Sequence, residues 1–468
     1  MTNPSMTKQI RLNAFDMNCA GHLSPGLWRH PRDRSTSYKD LDYWTFLART
    51  LERGRFDGLF LADVLGVYDV FAGNPDAAIR NGAQVPLNDP LLLVPAMAAV
   101  TEHLGFGVTC TLSYEPPYTF ARRISTLDHL TKGRIGWNIV TGYLDSAAKG
   151  LGQARQTGHD RRYDIAEEYM AVVYKLWEGS WEDDAVVIDR EAGIFAHPDK
   201  VHRVRHEGEH YRVDALHLSE PSPQRTPLLY QAGASPKGRD FAARHAECVF
   251  IGGHSKTAMA ATVADLRARA ARHGRDPSEI LVFCRATVVP GRSEAEAQAK
   301  LAEYRSYVSE EGALALLSGW TGIDLSRYGP DEPIRHERND AIHSAVEEIA
   351  GPNAVRTWTV RDLALATGIG GGLPLFVGDP AGIADAFQDW IDATDVDGFN
   401  LSYVVTPESF VDFVDLVVPE LQRRGIYKRD YEPGTLREKL RGPGQARLPG
   451  HHPAAAHRRP GATRWAAE

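Results

Sequence analysis

Eight short apolar runs, bounded by Gly, Asp and Asn and separated by stretches of helical periodicity, restrict this 468-residue chain to few architectures. They read RLNAF (11–15), DGLFLAD (57–63), GFGVTCT (105–111), RIGWNIV (134–140), PLLYQAG (227–233), CVFIGG (248–253), ILVFCRATVV (280–289) and GFNLSYVV (398–405). Most are continuous rather than alternating, the pattern of parallel strands buried on both faces. Helical patterns occupy 38–54, 88–104, 163–177, 255–273, 379–394 and 408–425. Asn88-Asp89-Pro90 supplies a cap and a first-turn proline for the second of these, and Pro95 predicts a kink in it. Strand and helix alternating eight times is the sequence image of an α/β fold, the (β/α)8 TIM barrel.

Two strand-to-strand connections, at about 141–226 and 291–397, are too long to be bare loops. One barrel domain over 1–440 with these two insertions, after strands 4 and 7, is therefore expected. Barrel sites lie at the C-terminal ends of the strands, so both insertions are candidate walls or lids. Residues 441–468 are rich in Pro, Gly, Ala, Arg and His, which favours a tail on the surface or swapped onto a neighbour.

Composition removes several classes of function. Apolar residues make up 43% and charged residues 24%, the balance of a soluble globular protein. A net charge of −8 argues against nucleic-acid binding, which needs clustered cations. No run of 18 apolar residues predicts a membrane span, and MTNPSMTKQIRLNAF does not read as a secretory signal. Cys19, Cys110, Cys248 and Cys284 are far apart, so reduced thiols and a cytoplasmic location are expected.

Two motifs mislead. His206-Glu-Gly-Glu-His210 matches HExxH, yet Gly208 interrupts it and His210-Tyr211-Arg212-Val213 reads as strand, so a hairpin is expected and not a zinc helix. GIGGG (368–372) lacks GxGxxG spacing and follows a helix. No GxxxxGK[ST], no GxSxG, and no HxH at the end of strand one is present, and no metal is expected.

Longer stretches carry more information. NAFDMNCAGHLSPGLWRHP (13–31), LERGRFDGLFLADVLGVYDV (51–70), VPLNDPLLLVPAMAAVTEHLGFGVT (85–109) and ARRISTLDHLTKGRIGWNIVTGYLDSAAKGLG (121–152) are four of them. HDRRYDIAEEYMAVVYKLWEGSWEDDAV (159–186), SEPSPQRTPLLYQAGASPKGRDFAARHAE (219–247) and VDGFNLSYVVTPESFVDFVDLVVPELQRRG (396–425) complete the set. Together they resemble the nitrilotriacetate monooxygenase component A branch of the bacterial-luciferase-like flavin monooxygenases, over residues 10–445. The start and GIYKRDYEPGTLREKL (425–440) are most similar to the long-chain alkane monooxygenase of that branch. SGWTGIDLSRYGPDEP (318–333) and WTVRDLALATGIGG (358–371) are more similar to its dimethyl-sulfide monooxygenase.

The resemblance implies a two-component enzyme. A separate NAD(P)H:flavin reductase supplies free FMNH2, which reacts with O2 to a C4a-(hydro)peroxide, and one oxygen atom passes to a small hydrophobic substrate of the long-chain alkane or dialkyl sulfide class. The protein binds the flavin, shields it from water and aims it. It also implies a homodimer or homotetramer. The same barrel serves deazaflavin-dependent oxidoreductases and non-catalytic flavin-binding proteins, which are the alternatives.

Site residues follow from matched positions. Asp63, Thr109, Thr111, Asn138 and Gly142 match the flavin-ring positions, with Gly142 where relatives often have Ser. Ser235 in Ala234-Ser235-Pro236-Lys237-Gly238-Arg239 opens a helix whose amides suit a phosphate, and Tyr163 matches the family's phosphate tyrosine. Arg162 or Arg239 could add charge. Cys19, His22, Tyr68 and Gln84 match the pocket of the alkane enzyme; His22 is the candidate donor to the reacting oxygen, and Cys19 a catalytic group or a small apolar wall. Tyr143 stands where that relative has His, and Ala313 and Leu316 lie where it has histidines, which puts alkane hydroxylation in question.

Overall fold

Four parallel strands open the fold: β1 (Arg11–Met17), β2 (Gly58–Ala62), β3 (Gly105–Thr111) and β4 (Ile135–Val140). Two antiparallel hairpins follow, β5/β6 (Val186–Asp189 with Ile194–Ala196) and β7/β8 (Val204–Glu207 with Arg212–Ala215). The series ends with β9 (Leu228–Gln231), β10 (Cys248–Ile251), β11 (Leu281–Pro290), β12 (Leu375–Gly378) and β13 (Gly398–Ser402). The computed structural model describes residues 8–233, 235–253, 255–334 and 358–458. Ala234 of the expected phosphate segment, part of the second insertion (335–357) and the last tail residues (459–468) lie outside the described residues.

Eight of these strands close a barrel in the order β1-β2-β3-β4-β9-β10-β11-β13 and back to β1, every pair parallel. Each of the eight expected apolar runs is one of them. β12 is an addition that the sequence reading did not contain. It pairs with the outer half of β11, Thr287–Pro290, while the inner half, Phe283–Thr287, pairs with β13. A strand of ten residues serves both partners because it is longer than the barrel wall.

Alternate residues fill the barrel. Phe15, Phe60, Tyr230, Phe250 and Phe283 form its interior cluster. Glycines on β3 and β4 make room for these rings: a Cβ on Gly136 would lie 2.5 Å from Tyr230, and one on Gly107 2.9 Å from Phe60. Period-2 alternation carries the same inward face on to Thr109, Thr111, Asn138 and Arg285, nearer the C-terminal ends of the strands. The opposite end is plugged by the helix Leu436–Arg441, whose Leu436 and Leu440 join the interior cluster. Arg437 pins this plug, donating to Glu247 Oε1 at 2.8 Å and to the carbonyls of Thr226 and Pro227 at 2.9 Å. The chain then continues along its own barrel, where His452 meets the His245 carbonyl at 3.0 Å and Arg458 meets Glu178 at 2.6 Å.

The helices largely follow the expected patterns, with Leu41–Arg53, His159–Gly179, Lys256–Arg272 and Pro380–Thr394 all present. The pattern at 88–104 is a correction. Asp89 caps it through Leu91 N at 2.9 Å, but Pro90–Leu93 is a 3-10 turn and the α-helix covers only Val94–Ala98. Pro95 has no N–H to continue the first turn, and Arg134 takes the Ala98 and Leu104 carbonyls at 3.0 and 3.1 Å. The pattern at 408–425 contains a π-helical turn, Phe413–Val417, before Val418–Arg423. No described helix is long and apolar enough to cross a membrane.

Candidate active site

A cavity of about 400 Å³ opens at the C-terminal ends of the strands. Its floor includes Phe15, Met17 and Arg285 from the barrel, and its walls include Leu317, Trp320, Leu363 and Leu373 from the second insertion. Most of the lining is apolar, and the polar groups gather at two ends.

The first end gathers polar side chains at a helix start. Tyr163 and Arg162, in the first turns of the helix His159–Gly179, face Gly233, Ser235 and the start of the helix Pro236–His245. Ser235 is the N-cap of that helix, and its hydroxyl oxygen accepts from Gly238 N at 3.0 Å. The same hydroxyl also hydrogen-bonds the Tyr163 side chain, so the serine and the tyrosine meet at the helix start. A Cβ on Gly238 or Gly233 would lie 2.6 or 2.9 Å from the Tyr163 hydroxyl, so the two glycines let the tyrosine reach the helix start. Of the two arginines left open by the sequence, Arg162 lines the cavity, whereas Arg239 turns to Asp265 at 3.1 Å.

The second end lies over β1 and β2. His22 is 2% exposed, stacks edge-on to Phe15 at 4.6 Å, and has no hydrogen-bond partner for Nδ1 among the described residues. Burial, reinforced by the charge of Arg285, pushes its imidazole down to about 3, so it is neutral at pH 7. Tyr68 donates to Gln84 Oε1 at 2.8 Å and lies 3.0 Å from the Tyr143 hydroxyl, and Gln84 Nε2 donates to the His22 carbonyl at 2.8 Å. Cys19 is buried just behind this loop, pairing by a single bridge with Leu87, and is not among the cavity-lining side chains described. Burial pushes its thiol well up, so no thiolate is held there.

Between the two ends lie the residues matched to the flavin ring. Asp63 and Gly142 line the cavity. Burial, and then the charge of Asp89, push the Asp63 carboxyl up to about 7. Thr109, Thr111 and Asn138 sit one layer back. Asn138 Nδ2 donates to Thr109 at 2.9 Å, and a Cβ on Gly142 would touch Thr111 Oγ1 at 3.5 Å. Thr111 Oγ1 and Asn138 Oδ1 are buried without a hydrogen-bond partner among the described residues, a cost that a polar ring edge would remove.

Among the lining residues that the sequence did not single out are Arg285, Trp320 and the glycine pair Gly371–Gly372. Arg285 had a signal, being the one charge in the apolar run of β11. The glycines had one as well, three in a row, and Gly370, Gly371 and Gly372 all take left-handed φ values of 67° to 73°. They fold the backbone against Thr287, Leu23 and Trp320, so GIGGG shapes this cavity rather than a dinucleotide turn.

A parallel eight-stranded barrel whose strand ends wall one largely apolar cavity, with polar side chains and a helix start at one rim, is the layout of a barrel enzyme. Sequence comparison makes the class specific. The model of the luciferase-like monooxygenases matches residues 25–396, and the chain belongs to that family: it is a flavin-dependent monooxygenase. It is 51% identical to the dimethyl-sulfide monooxygenase of Hyphomicrobium sulfonivorans over 97% of this chain and 94% of that one. It is also 51% identical to the long-chain alkane monooxygenase of Geobacillus thermodenitrificans, over 97% and 99%. A crystal structure of long-chain alkane monooxygenase superimposes with a TM-score of 0.90 over 97% of this chain and 100% of that one, at 49% identity. A riboflavin lyase solved with modified FMN and riboflavin gives 0.91 over 97% and 100%, at 38% identity.

Proposed function

We propose that this monooxygenase takes reduced FMN from a separate reductase and inserts one atom of O2 into a small hydrophobic substrate, of the alkane or dialkyl sulfide class. The observation that carries this reading is the two-ended cavity, with an anion cradle at one rim, orphaned polar atoms in the middle and apolar walls beyond.

The residues fit FMN. Ser235, Tyr163, Arg162 and the amides at the helix start would hold the phosphate. Asp63, Thr111, Asn138 and Thr109 would face the ring, with Gly142 leaving space above Thr111. When bound, reduced FMN supplies the electrons that activate O2, with one oxygen atom going to substrate and the other leaving as water.

The chain's own residues do the rest. His22, neutral and buried, keeps one N–H to donate to the reacting oxygen and has no charge to attract water. Cys19, as a protonated thiol, packs the loop behind it. Tyr68, Gln84 and Tyr143 hold that loop by hydrogen bonds. Leu317, Leu363 and Leu373 keep the substrate side dry.

The experiment is a screen of alkanes, dialkyl sulfides, sulfones and aminopolycarboxylates with NADH, FMN and a generic flavin reductase, with products identified by mass spectrometry. A product carrying one added oxygen from an apolar substrate is expected. Hydrogen peroxide as the sole product with every apolar substrate, or turnover of the aminopolycarboxylates alone, overturns the reading.

A further inference from the structure

The helix Glu310–Thr321 belongs to the second insertion, far in sequence from the loop that carries His22. It nevertheless touches Tyr68 directly. A Cβ on Gly319 would fall 2.0 Å from Tyr68 Cδ1 and 2.8 Å from Cε1, so only glycine admits the ring at this point of the helix. The next residue, Trp320, directs its indole N–H to the Tyr68 hydroxyl at 3.2 Å.

The direction of every proton in the resulting chain is fixed by chemistry. The His22 carbonyl only accepts, so the end of Gln84 facing it at 2.8 Å is the amide NH2. The other end of Gln84 is then the oxygen, which only accepts, and Tyr68 gives it its single proton at 2.8 Å. The indole of Trp320 only donates, so it occupies one lone pair of the Tyr68 oxygen. The second lone pair takes the Tyr143 proton at 3.0 Å. Gln84 also holds the loop by its backbone, donating to the Gly21 carbonyl at 2.8 Å from a left-handed φ of 54°. That conformation is uncommon for a residue with a side chain and is kept here by contacts on both sides.

We propose that Gly319 and Trp320 are positioning residues for oxygen transfer: they seat Tyr68, Tyr68 orients Gln84, and Gln84 fixes the Gly21–His22 loop. The placement of His22 thus depends on a helix of the insertion and not on the barrel alone. This rests on the reading of His22 given above, and the test separates the two.

Three single variants, one double variant and a control are compared with His22→Ala. Trp320→Phe keeps an aromatic ring and removes the N–H. Gly319→Ala adds the one methyl that Tyr68 cannot accommodate, while alanine favours the helix itself. Tyr68→Phe removes the hub, and Gly150→Ala, where nothing lies within 4 Å of the new Cβ, is the control. Product and hydrogen peroxide per NADH are measured alongside thermal midpoints and reduced-FMN affinity. Trp320→Phe and Gly319→Ala should raise the peroxide-to-product ratio about fivefold, the scale of one lost buried hydrogen bond, with reduced-FMN affinity unchanged. The double variant Trp320→Phe/Tyr68→Phe should be no worse than Tyr68→Phe alone, because both act through one chain. Wild-type coupling in Trp320→Phe and Gly319→Ala, while His22→Ala uncouples, overturns the proposal, and so does additivity in the double variant.

A second readout needs no flavin. In protein labelled with 5-fluorotryptophan, the Trp320 fluorine line is assigned by its loss in Trp320→Phe. It should move in Tyr68→Phe and again in Gln84→Leu. If His22→Ala stays coupled, the reading of His22 fails by itself. A Trp320 line that stays still in Gln84→Leu shows that the indole is not joined to the His22 loop and overturns this proposal.

Discussion

The Tyr163 hydroxyl fills the space that a side chain on Gly238 would need, 2.6 Å from where its Cβ would stand. Gly238 lies in the first turn of the helix capped by Ser235, so the glycine is what brings a phenol, a serine hydroxyl and a helix start to one point. Hydrogen-bond donors at a helix start are what a phosphate takes, which is the role proposed for this point.

Gly238→Ala should therefore weaken reduced-FMN binding about tenfold, or about 1.4 kcal/mol, by pushing Tyr163 away. Reduced riboflavin, which has no phosphate, should bind the two proteins alike and more weakly than FMN binds the native one. Anaerobic titration measures both. Equal native affinity for FMN and riboflavin would remove the phosphate assignment.

Asp16 gives a prediction about pH. It is 1% exposed at the end of β1, accepting from Met17 N at 2.7 Å and from the Tyr43 hydroxyl at 3.3 Å. Burial drives its carboxyl up to about 7 despite these bonds and that of Tyr403, and Asp33 adds to the rise. The folded state thus keeps a proton that the unfolded chain loses near its ordinary value of 3.8. Between those values the folded state binds more protons, so this residue's contribution to stability falls as pH rises from about 4 to 7. Asn cannot ionise. The stability of Asp16→Asn relative to native should become more favourable between pH 5 and pH 8, by on the order of 1–3 kcal/mol. His22, lowered to about 3, has the opposite slope, with stability lost as pH falls below about 6.5, but it is common to both proteins and cancels. A stability difference that is the same at both pH values would mean that Asp16 is ionised in the fold.

What could be read from the chain follows the range of the interactions. All eight barrel strands were legible because a strand buried on both faces is a continuous apolar run, and that signal is local. β12 was not legible, since its four residues are half-buried in alternation and look like the end of a loop. The helix Glu310–Thr321 was also missed, because EEGALALLSGWT is apolar over most of its surface and shows no single stripe. In the cavity, Ser235 announced itself by cap chemistry, Ser-Pro at a helix start. His22, Tyr68, Gln84 and Tyr143 did not, and were placed only through the resemblance to a family. Trp320 and Gly319 had no local signal at all. Their meaning lies in a contact with Tyr68, which no periodicity of 2 or 3.6 residues can report.

The HExxH match ends in a prediction about chelation. His206 lies on β7 and His210 in the turn before β8, so the two are on a hairpin. Both ring nitrogens of His206 are engaged, Nε2 with Glu168 at 3.0 Å and Nδ1 with Lys175 at 3.1 Å. Among the described residues no group of three or more His, Cys, Asp or Glu is placed to hold a metal ion. Activity should survive extensive dialysis against EDTA. Loss on chelation with recovery on adding zinc would restore the metal reading of this hairpin.

His22 gives the most direct test of the oxygen-transfer role proposed for its end of the cavity. It lies on the loop after β1, over the cavity, neutral and 2% exposed, with an aromatic edge contact to Phe15 on one side and Tyr403 at 6.2 Å on another. Activated oxygen is useful only while it is held and kept from leaving as hydrogen peroxide. A neutral imidazole supplies one donor for that purpose, and losing a well-placed donor in a dry site costs about 2–4 kcal/mol at the transition state. His22→Ala should leave reduced-FMN binding nearly intact, since the cradle at Ser235 and Tyr163 is at the other end of the cavity. Product per NADH should fall while hydrogen peroxide rises, with oxygen uptake little changed. If His22 serves only to pack, the same substitution lowers the thermal midpoint and leaves coupling as it was, because a cavity in the core weakens the fold without touching the reacting oxygen. His22→Asn, smaller but still a hydrogen-bond donor, separates the two further: it should recover part of the coupling but little of the packing. A His22→Ala protein that is fully coupled at the native rate would show that the donor is some other group.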